Sequence, residues 1–336
     1  MGNCFSLHGR RRRRYIKSRH RKLEATNTHY MMHEGIKTVE VEKLCESTDK
    51  PILCMCILTW NMNGKASSDL EVLIGGNRKF DLFVVGLQEV PRRNMARLLQ
   101  KVLVDTHRLV GAAIMQSLQL FVFGPKNSEP SAKDIMVEKH AVGGLGGLIG
   151  RKKGAVAISF SFKGIRMEFI NCHLSAHASN VEERNAQCRH ISHSFMSKKS
   201  PYARPSHITV WLGDLNYRIQ GIDTLPARSL IQRNLLKMLK SKDQLRQEAE
   251  RGQVFNGYCE GDLEFKPTYK YNIGSSNYDT SYKVRVPSWT DRILFKIEKS
   301  DNIDAALHSY ESIDHINTSD HKPVRAHLCL KLKKPG

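Results

Sequence analysis

The alternation of apolar and polar positions divides the chain into a beginning without pattern and a regularly patterned remainder. Residues 1–50 are rich in charged residues, Ser, Thr and His and show no sustained period, so we expect a flexible extension there. From residue 51 onward, short β-prone runs alternate with helical ones. The predicted strands are residues 52–58, 82–87, 118–123, 155–161, 166–171, 207–212, 291–297 and 324–330.

Helical periodicity occupies several of the intervening segments. After Pro91, a natural first helical residue, apolar side chains from Met95 onward recur on one face. Asn180 and Glu183 have the spacing of a capping box and predict a second helix. A third apolar face runs through residues 227–240. Strands and helices interspersed in this way predict an α/β layered fold.

Composition excludes several classes of protein. Apolar residues make up 40% of the 336 and charged residues 26%, which is close to the globular average and excludes wholesale disorder. The sequence contains neither a run of about 18 apolar residues nor the apolar core of a secretory signal, so we expect the protein to stay in the cytosol. Reduced, mostly buried thiols are therefore expected for the eight cysteines, including Cys54 and Cys56 on the first predicted strand.

Charge adds a further constraint. The net charge of +20 indicates an anionic partner, which could be nucleic acid, an anionic membrane surface or a phosphorylated substrate. Residues 1–22 hold nine Lys and Arg and no acidic residue, and the rest of the chain still carries +11. Charge alone does not choose among these partners.

Polar motifs at the ends of apolar strands carry the candidate chemistry. Each has an ordinary structural explanation when it is considered singly, but together they supply what phosphate-ester hydrolysis requires. They are TWNMNG (59–64), LQEV (87–90), NCHLSAH (171–177), WLGDLNYRI (211–219) and SDHKPV (319–324).

Carboxylates and amides in these motifs predict a metal site and a general base. Mg²⁺ prefers oxygen ligands and is usually held by one or two carboxylates, so we assign Glu89 and Asp320 as ligands, with Asn61 assisting. Asp214 then remains to orient and deprotonate the attacking water. Asn216 is predicted to position that water or the phosphate.

Two histidines complete the predicted catalytic set. His173 and His321 can donate to the phosphoryl oxygens as negative charge develops there. Asp291 could hold the imidazole of His321 in one tautomer. The set therefore combines a metal, a base and hydrogen-bond donors.

This constellation resembles the inositol polyphosphate 5-phosphatases, a branch of the metal-dependent fold shared with deoxyribonuclease I and the abasic-site endonucleases. WNMNG, QE, GDLN and SDH are common to that fold, whereas WLGDLNYRI and VPSWTDRIL (286–294) resemble two signature segments of the 5-phosphatase branch. The resemblance covers about residues 52–332, so we expect a catalytic domain over 51–332. It implies a two-sheet β-sandwich flanked by helices, in the four layers of deoxyribonuclease I.

The resemblance implies the same roles for seven of the residues assigned above, namely Asn61, Glu89, His173, Asp214, Asn216, Asp291 and His321. It adds residues that would bind the substrate and its neighbouring 4-phosphate, namely Tyr269 and Lys270 of PTYKY, Lys283, Arg285, Arg292 and His177. The sequence departs from the family at Asn272, where Asp is frequent, and at 152–155, where Lys-Lys-Gly-Ala replaces Asn-Lys-Gly-Gly. These departures bear on substrate preference rather than on the chemistry.

The first residues predict lipid attachment. MGNCFS matches the N-myristoylation pattern at Gly2, and Cys4 could be palmitoylated. Because one myristoyl chain binds membranes only marginally, a second signal is needed. Cys4 and the run Arg10–Arg14 supply two such signals, the latter at about 1 kcal/mol per basic residue near an anionic leaflet. The alternative for the basic run is a nuclear-localisation or nucleic-acid-binding tract.

The sequence as a whole predicts Mg²⁺-dependent removal of the 5-phosphate from phosphatidylinositol 4,5-bisphosphate or 3,4,5-trisphosphate. We expect a monomer at the cytosolic face of a membrane, the plasma membrane in particular, with no nucleic-acid partner. Three alternatives remain: a soluble inositol polyphosphate 5-phosphatase, a deoxyribonuclease-like or abasic-site nuclease using the positive charge on DNA, and a non-catalytic membrane adaptor. PSWTDRIL argues against the nuclease, and the intact catalytic set argues against the adaptor.

Replacing Gly2 with Ala should move the protein from membranes to the cytosol, because the glycine amine is the acylation site. Hydrolysis of a soluble substrate should not change, since the acyl chain lies outside the catalytic segment. Neutralising Arg10–Arg14 should give a milder, salt-sensitive loss. Cell fractionation measures both effects, and unchanged membrane association of Gly2→Ala would contradict the anchoring prediction.

Overall fold

A computed structural model describes residues 35–42, 52–65, 70–74, 80–127, 132–142, 153–197, 205–298 and 303–332. The predicted acylation residues Gly2 and Cys4 and the basic run Arg10–Arg14 lie outside the described residues. Among the residues described, no helix combines the length and apolar character needed to cross a bilayer.

The described part of the chain forms thirteen strands and six helices. The strands are β1 (Lys37–Val39), β2 (Leu53–Asn61), β3 (Leu82–Gln88), β4 (His107–Met115), β5 (Leu118–Pro125), β6 (Lys133–Ala141), β7 (Gly154–Phe162), β8 (Ile165–His173), β9 (Ile208–Asp214), β10 (Cys259–Gly261), β11 (Asp291–Ile297), β12 (Ile303–Ser312) and β13 (Val324–Leu332). The helices are α1 (Leu70–Ile74), α2 (Met95–Val102), α3 (Val181–Ser197), α4 (Thr224–Gln232), α5 (Leu236–Lys240) and α6 (Gln244–Glu250).

The strands form two mixed sheets. Sheet A has the order β1-β10-β11-β9-β8-β7-β6, and sheet B has the order β12-β13-β2-β3-β5-β4. β8 and β9 pair in parallel near the middle of sheet A, and β2 and β3 do so in sheet B. A parallel pair requires a crossover connection, and these two connections contain α3 and α1. The parallel pairs bring polar strand ends together.

The core confirms the predicted four-layer sandwich. Side chains such as Ile57 and Val210 fill the space between the sheets, while Leu58 on the opposite face of β2 packs under α1 and α2. Ile170 of sheet A packs under α3 and α6 in the same way. Both faces of the central strands are therefore buried, which explains why those strands read as continuous apolar runs.

All eight predicted strands form, but several further strands were missed. One of them is β6, over Lys133–Ala141, which pairs with β7. It is an edge strand with mostly exposed side chains, so it carries no apolar alternation. β1 pairs with β10, which makes the predicted domain boundary at residue 50 wrong. The predicted helix over 227–240 is divided at Asn234, whose φ of 54° ends a helix.

A disulfide between Cys54 and Cys329 corrects the expectation of reduced thiols for this pair. The antiparallel pairing of β2 and β13 places the two residues directly opposite each other. Their separation of 275 residues along the chain hides this pairing from any spacing pattern. The expectation does hold for Cys172 and Cys188, which are free and buried.

A buried polar contact joins the two sheets just below the polar strand ends. Gln88 Nε2 donates to Asn171 Oδ1 at 2.7 Å, and Asn171 Nδ2 donates to the carbonyl oxygen of Gln119 at 2.8 Å. Both side chains are fully buried. A Cβ on Gly86 would lie 2.9 Å from Asn171 and 2.7 Å from Leu212, so glycine permits the close approach of the sheets here.

Asn171→Ala should lower the free energy of unfolding, because it leaves the amide of Gln88 and the carbonyl of Gln119 without this partner in the core. The expected cost is about 1–3 kcal/mol for each orphaned group. Urea unfolding measures it, with Ser159→Ala on the adjacent strand β7 as a half-buried control. An unchanged unfolding midpoint would show that the contact does not hold the sheets together.

Candidate active site

The candidate catalytic residues meet at one end of the sandwich, across the seam between the sheets. Sheet B contributes Asn61 at the end of β2, Glu89 after β3 and His321 before β13. Sheet A contributes His173 and Asp214, which end β8 and β9 and stand in register opposite each other. The parallel pairings therefore bring together residues that are far apart in the chain.

Asp214 is the centre of the cluster. Its Oδ2 accepts a hydrogen bond from Asn61 Nδ2 at 3.0 Å and lies 3.4 Å from His173 Nε2 and 4.0 Å from His321 Nε2. Burial by itself raises the pKa of Asp214, but the hydrogen bond from His173 and the charges of His321, His173 and Lys153 outweigh it and lower the pKa well below its usual value. Asp214 is therefore ionised in this site.

His321 is held by a buried carboxylate, as its predicted pairing with Asp291 requires. Its Nδ1 lies 2.9 Å from Asp291 Oδ2, which also accepts from the hydroxyls of Thr268 at 2.7 Å and Thr290 at 2.8 Å. Burial alone would lower the pKa of His321, but Asp291 and Asp214 outweigh it and raise the pKa to about 10. The imidazole is thus a fixed cation beside Asp214.

Oxygen donors beside His173 fit a hard divalent cation. Glu89 Oε1 lies 4.0 Å from His173 Nε2, so Glu89 and Asp214 approach the same nitrogen. Glu89 has a φ of 49°, a left-handed conformation that turns the chain sharply after β3. With Asn61 bonded to Asp214, the cluster offers the carboxylate and amide oxygens that Mg²⁺ prefers.

A second group of possible ligands, Asp214, Asp291 and His321, has its donor atoms within 4.8 Å of one another. Asp291 Oδ2 already accepts from the two threonine hydroxyls and lies 2.9 Å from His321 Nδ1, so Glu89 is the stronger candidate as a cation ligand. Asp320, the other predicted ligand, is partly exposed, and its charge acts on the neighbouring His321. Its role as a ligand stays a prediction.

Lys153 belongs to the cluster, although it was not predicted as a site residue. Its Nζ contacts His173 Nε2. Burial first and the charge of Lys153 second lower the pKa of His173. Sequence offered a signal, since Lys153 lies in the basic segment 152–155 that replaces Asn-Lys-Gly-Gly.

A cleft of about 220 Å³ adjoins the cluster and is lined by several of the predicted substrate-binding residues. Arg218 connects the two regions, because its guanidinium lies 4.4 Å above the Tyr269 ring while its Nε donates to the carbonyl oxygen of Asn216 at 3.1 Å. Asn216 has a φ of 58°, and its backbone N–H donates a hydrogen bond to Asp214 Oδ1. The lining includes His177, Arg218, Tyr269, Lys283, Arg285 and Ser288.

Asp279 organises the loop that presents the cleft's cations. Its two carboxylate oxygens accept from the amides of Ser281 at 3.0 Å and Arg285 at 3.1 Å. Burial raises the pKa of Asp279, but these hydrogen bonds and the charge of Lys270 outweigh it and lower the pKa. The charge of Lys270 thus helps to lower the pKa of Asp279. Lys283 and Arg285 line the cleft, whereas Lys270 is not among its lining residues.

Arg292 is not positioned to bind substrate, and that prediction is wrong. It is fully buried and forms ion pairs with Glu260 at 2.5 Å and with Asp243 at 2.9 Å. Its position beside Asp291 in the sequence explains the error, because successive residues of a strand point to opposite faces. Asp291 faces the site, whereas Arg292 faces these two carboxylates.

Comparison with known proteins gives consistent results. Residues 58–327 match the model of Endonuclease/Exonuclease/phosphatase family 2. The chain is 59% identical over 300 residues to type IV inositol polyphosphate 5-phosphatase 11 of Arabidopsis thaliana, with 89% of each chain covered. It is 32% identical to human phosphatidylinositol 4,5-bisphosphate 5-phosphatase A, with 82% of this chain and 30% of that protein covered.

A solved structure agrees with these relatives. The inositol polyphosphate 5-phosphatase domain of a synaptojanin, in complex with inositol (1,4)-bisphosphate and a calcium ion, superposes with a TM-score of 0.70 at 31% identity. The match covers 83% of this chain and 85% of that one.

Proposed function

Because the chain belongs to the inositol polyphosphate 5-phosphatase family, an enzyme class that acts on inositol phosphates or phosphoinositides, we propose that it is a Mg²⁺-dependent phosphoinositide 5-phosphatase. Its substrate is phosphatidylinositol 4,5-bisphosphate or 3,4,5-trisphosphate. It acts as a monomer at the cytosolic face of a membrane, where acylation at Gly2 and Cys4 would hold it.

The observation that best supports this function is that an ionised carboxylate, Asp214, lies close to the cationic side chain of His321 in the same buried cluster. Asp214 remains ionised, so it can hold the attacking water and accept its proton as the new oxygen–phosphorus bond forms. His321 is already cationic and, with Lys153, can donate to the phosphoryl oxygens as negative charge grows. Asn216 is held by Arg218 and can position the water.

Mg²⁺ suits the oxygen donors that lie among these groups. Glu89 and Asn61, with Asp320, would hold it, and the ion would neutralise charge on the phosphoryl oxygens. This assignment uses only oxygen donors, in keeping with a hard cation.

Exposed apolar side chains beside the cleft favour a lipid over a soluble headgroup. Tyr282 is 89% exposed and directly precedes Lys283, while Leu225 is 75% exposed. A hydrogen bond from Thr224 Oγ1 to the carbonyl oxygen of Val284 at 2.7 Å joins the two segments that carry them. Exposed apolar side chains on segments next to a cationic cleft suit contact with a membrane surface.

A phosphate-release assay comparing a 4,5-bisphosphorylated inositol lipid with its soluble headgroup, run beside a gel assay for strand cleavage of abasic DNA, tests this proposal. We expect fastest release from the lipid, loss of release in chelator and recovery with Mg²⁺. Asp214→Asn is the inactive control, with kcat lowered by about 10²- to 10⁴-fold because an amide cannot accept the water's proton. Preference for the headgroup would support the soluble alternative, cleavage of the DNA would support the nuclease, and activity in chelator would contradict the metal.

Removing Lys283 and Arg285 together should lower kcat/KM on the 4,5-bisphosphorylated substrate and spare one phosphorylated only at position 5. Charge-assisted hydrogen bonds to the second phosphate are about twice as strong as neutral ones, and only the first substrate can form them. The matched control removes two exposed cations from another surface, Lys101 and Arg108. Equal losses on both substrates, in an uncharged detergent carrier, would leave Lys283 and Arg285 as general membrane contacts.

A further inference from the structure

A cluster of sulfur and imidazole donors lies in sheet B, away from the active site. Cys54 on β2 stands opposite Cys329 on β13, and His327 lies two residues before Cys329 on the same strand face. His327 Nε2 is 3.2 Å from Cys329 Sγ, and one donor atom from each of the three residues lies within 4.8 Å of the others. Cys329 and His327 are buried.

The surroundings of the cluster are built from several elements. The ring of Phe80 meets His327 edge-on at 4.7 Å, and the amide of Cys54 donates to Asp81 Oδ2 at 2.8 Å. A further imidazole, His308 on β12, lies 5.0 Å from the His327 ring and is bonded through Nδ1 to the carbonyl oxygen of Glu42. The imidazole of His327 thus has a second imidazole, that of His308, beside it.

The cluster is separate from the catalytic centre. Cys54 precedes Asn61 by seven positions along β2, which at about 3.3 Å per residue is roughly 23 Å. No residue of the predicted catalytic or substrate-binding set belongs to the cluster. Its function must therefore be argued from its own donors.

We propose that Cys54, Cys329 and His327 bind a transition metal of the Zn²⁺ class when the two cysteines are thiols. Two thiolates and an imidazole are the ligands that Zn²⁺ takes, and its bond lengths place tetrahedral ligand atoms about 3.3–3.8 Å apart. The distance of 3.2 Å from His327 Nε2 to Cys329 Sγ is close to that spacing. A disulfide alone requires no imidazole nitrogen against its sulfur. His308 or a water would complete four-coordination.

Conversion from the disulfide to the metal site requires a dithiol reductant. The reductant supplies two electrons and two protons, its own sulfurs become a disulfide, and the bond between Cys54 and Cys329 is replaced by two thiols. Metal binding then releases the thiol protons, since the thiolate is the ligand. Both states tie β2 to β13, so the sheet does not have to rearrange between them.

Co²⁺ titration of the full-length protein tests this site, because tetrahedral thiolate coordination gives a near-ultraviolet charge-transfer band that oxygen ligands do not. The protein is reduced with a dithiol, freed of it without air, and titrated. We expect one Co²⁺ per chain to give the band and Zn²⁺ to abolish it by competition. Cys54→Ser and Cys329→Ser should lose the band, and His327→Gln should weaken binding by about tenfold or more.

Two controls separate this site from others. Cys259→Ser removes a half-buried thiol elsewhere and should retain the band, and Glu89→Gln, at the catalytic centre, should retain it as well. Phosphate release by Cys54→Ser reports that the variant is folded. The proposal is overturned if reduced wild-type protein gives no band, if the band persists in Cys54→Ser, or if mass measurement shows the disulfide intact after dithiol treatment.

Discussion

The hydrogen bond between Gln88 and Asn171 is the constraint on which the site depends, because the catalytic residues come from both sheets. Apolar packing between sheets is non-directional and tolerates sliding, whereas a buried amide pair has its partners at one register only. The contact lies two residues before His173 on β8 and one before Glu89 after β3. It therefore fixes the offset between the sheets immediately below the atoms that must meet. Gly86 lets the sheets approach closely enough for this contact to form.

Above this contact, the charges of the site are set before substrate arrives. Asp214 is kept ionised by its neighbours, and His321 is kept protonated by Asp291 and Asp214. Opposite charges held 4.0 Å apart in a buried site need little reorganisation as the phosphoryl group gains charge. The two hydroxyls of Thr268 and Thr290 matter for the same reason, since they fix the carboxylate that orients His321.

Sequence could predict those features of the site that depend on residues close together in the chain. A strand end followed by a polar motif identifies Asn61, Glu89, His173 and Asp214, and parallel pairing then brings them together. Contacts that depend on the register between distant strands produce no local sequence motif. The Cys54–Cys329 pair was not predicted for this reason. Edge strands such as β6 were missed because an exposed strand has no buried face to impose a period of two.

Arg292 shows why a signature segment cannot be interpreted as a list of substrate contacts. Its ion pairs join β11 to Glu260 on β10 and to Asp243, which caps α6 by accepting from the amide of Arg246. The next residue, Gln244, accepts from the backbone amide of Arg218, and Arg218 in turn holds Asn216. Removing one partner of a buried ion pair strands the other charge, so this chain of contacts is costly to disturb. Arg292 thus supports the catalytic centre indirectly, through the contacts that hold Arg218 in place. Its neighbour on the strand, Asp291, contacts the catalytic His321 directly.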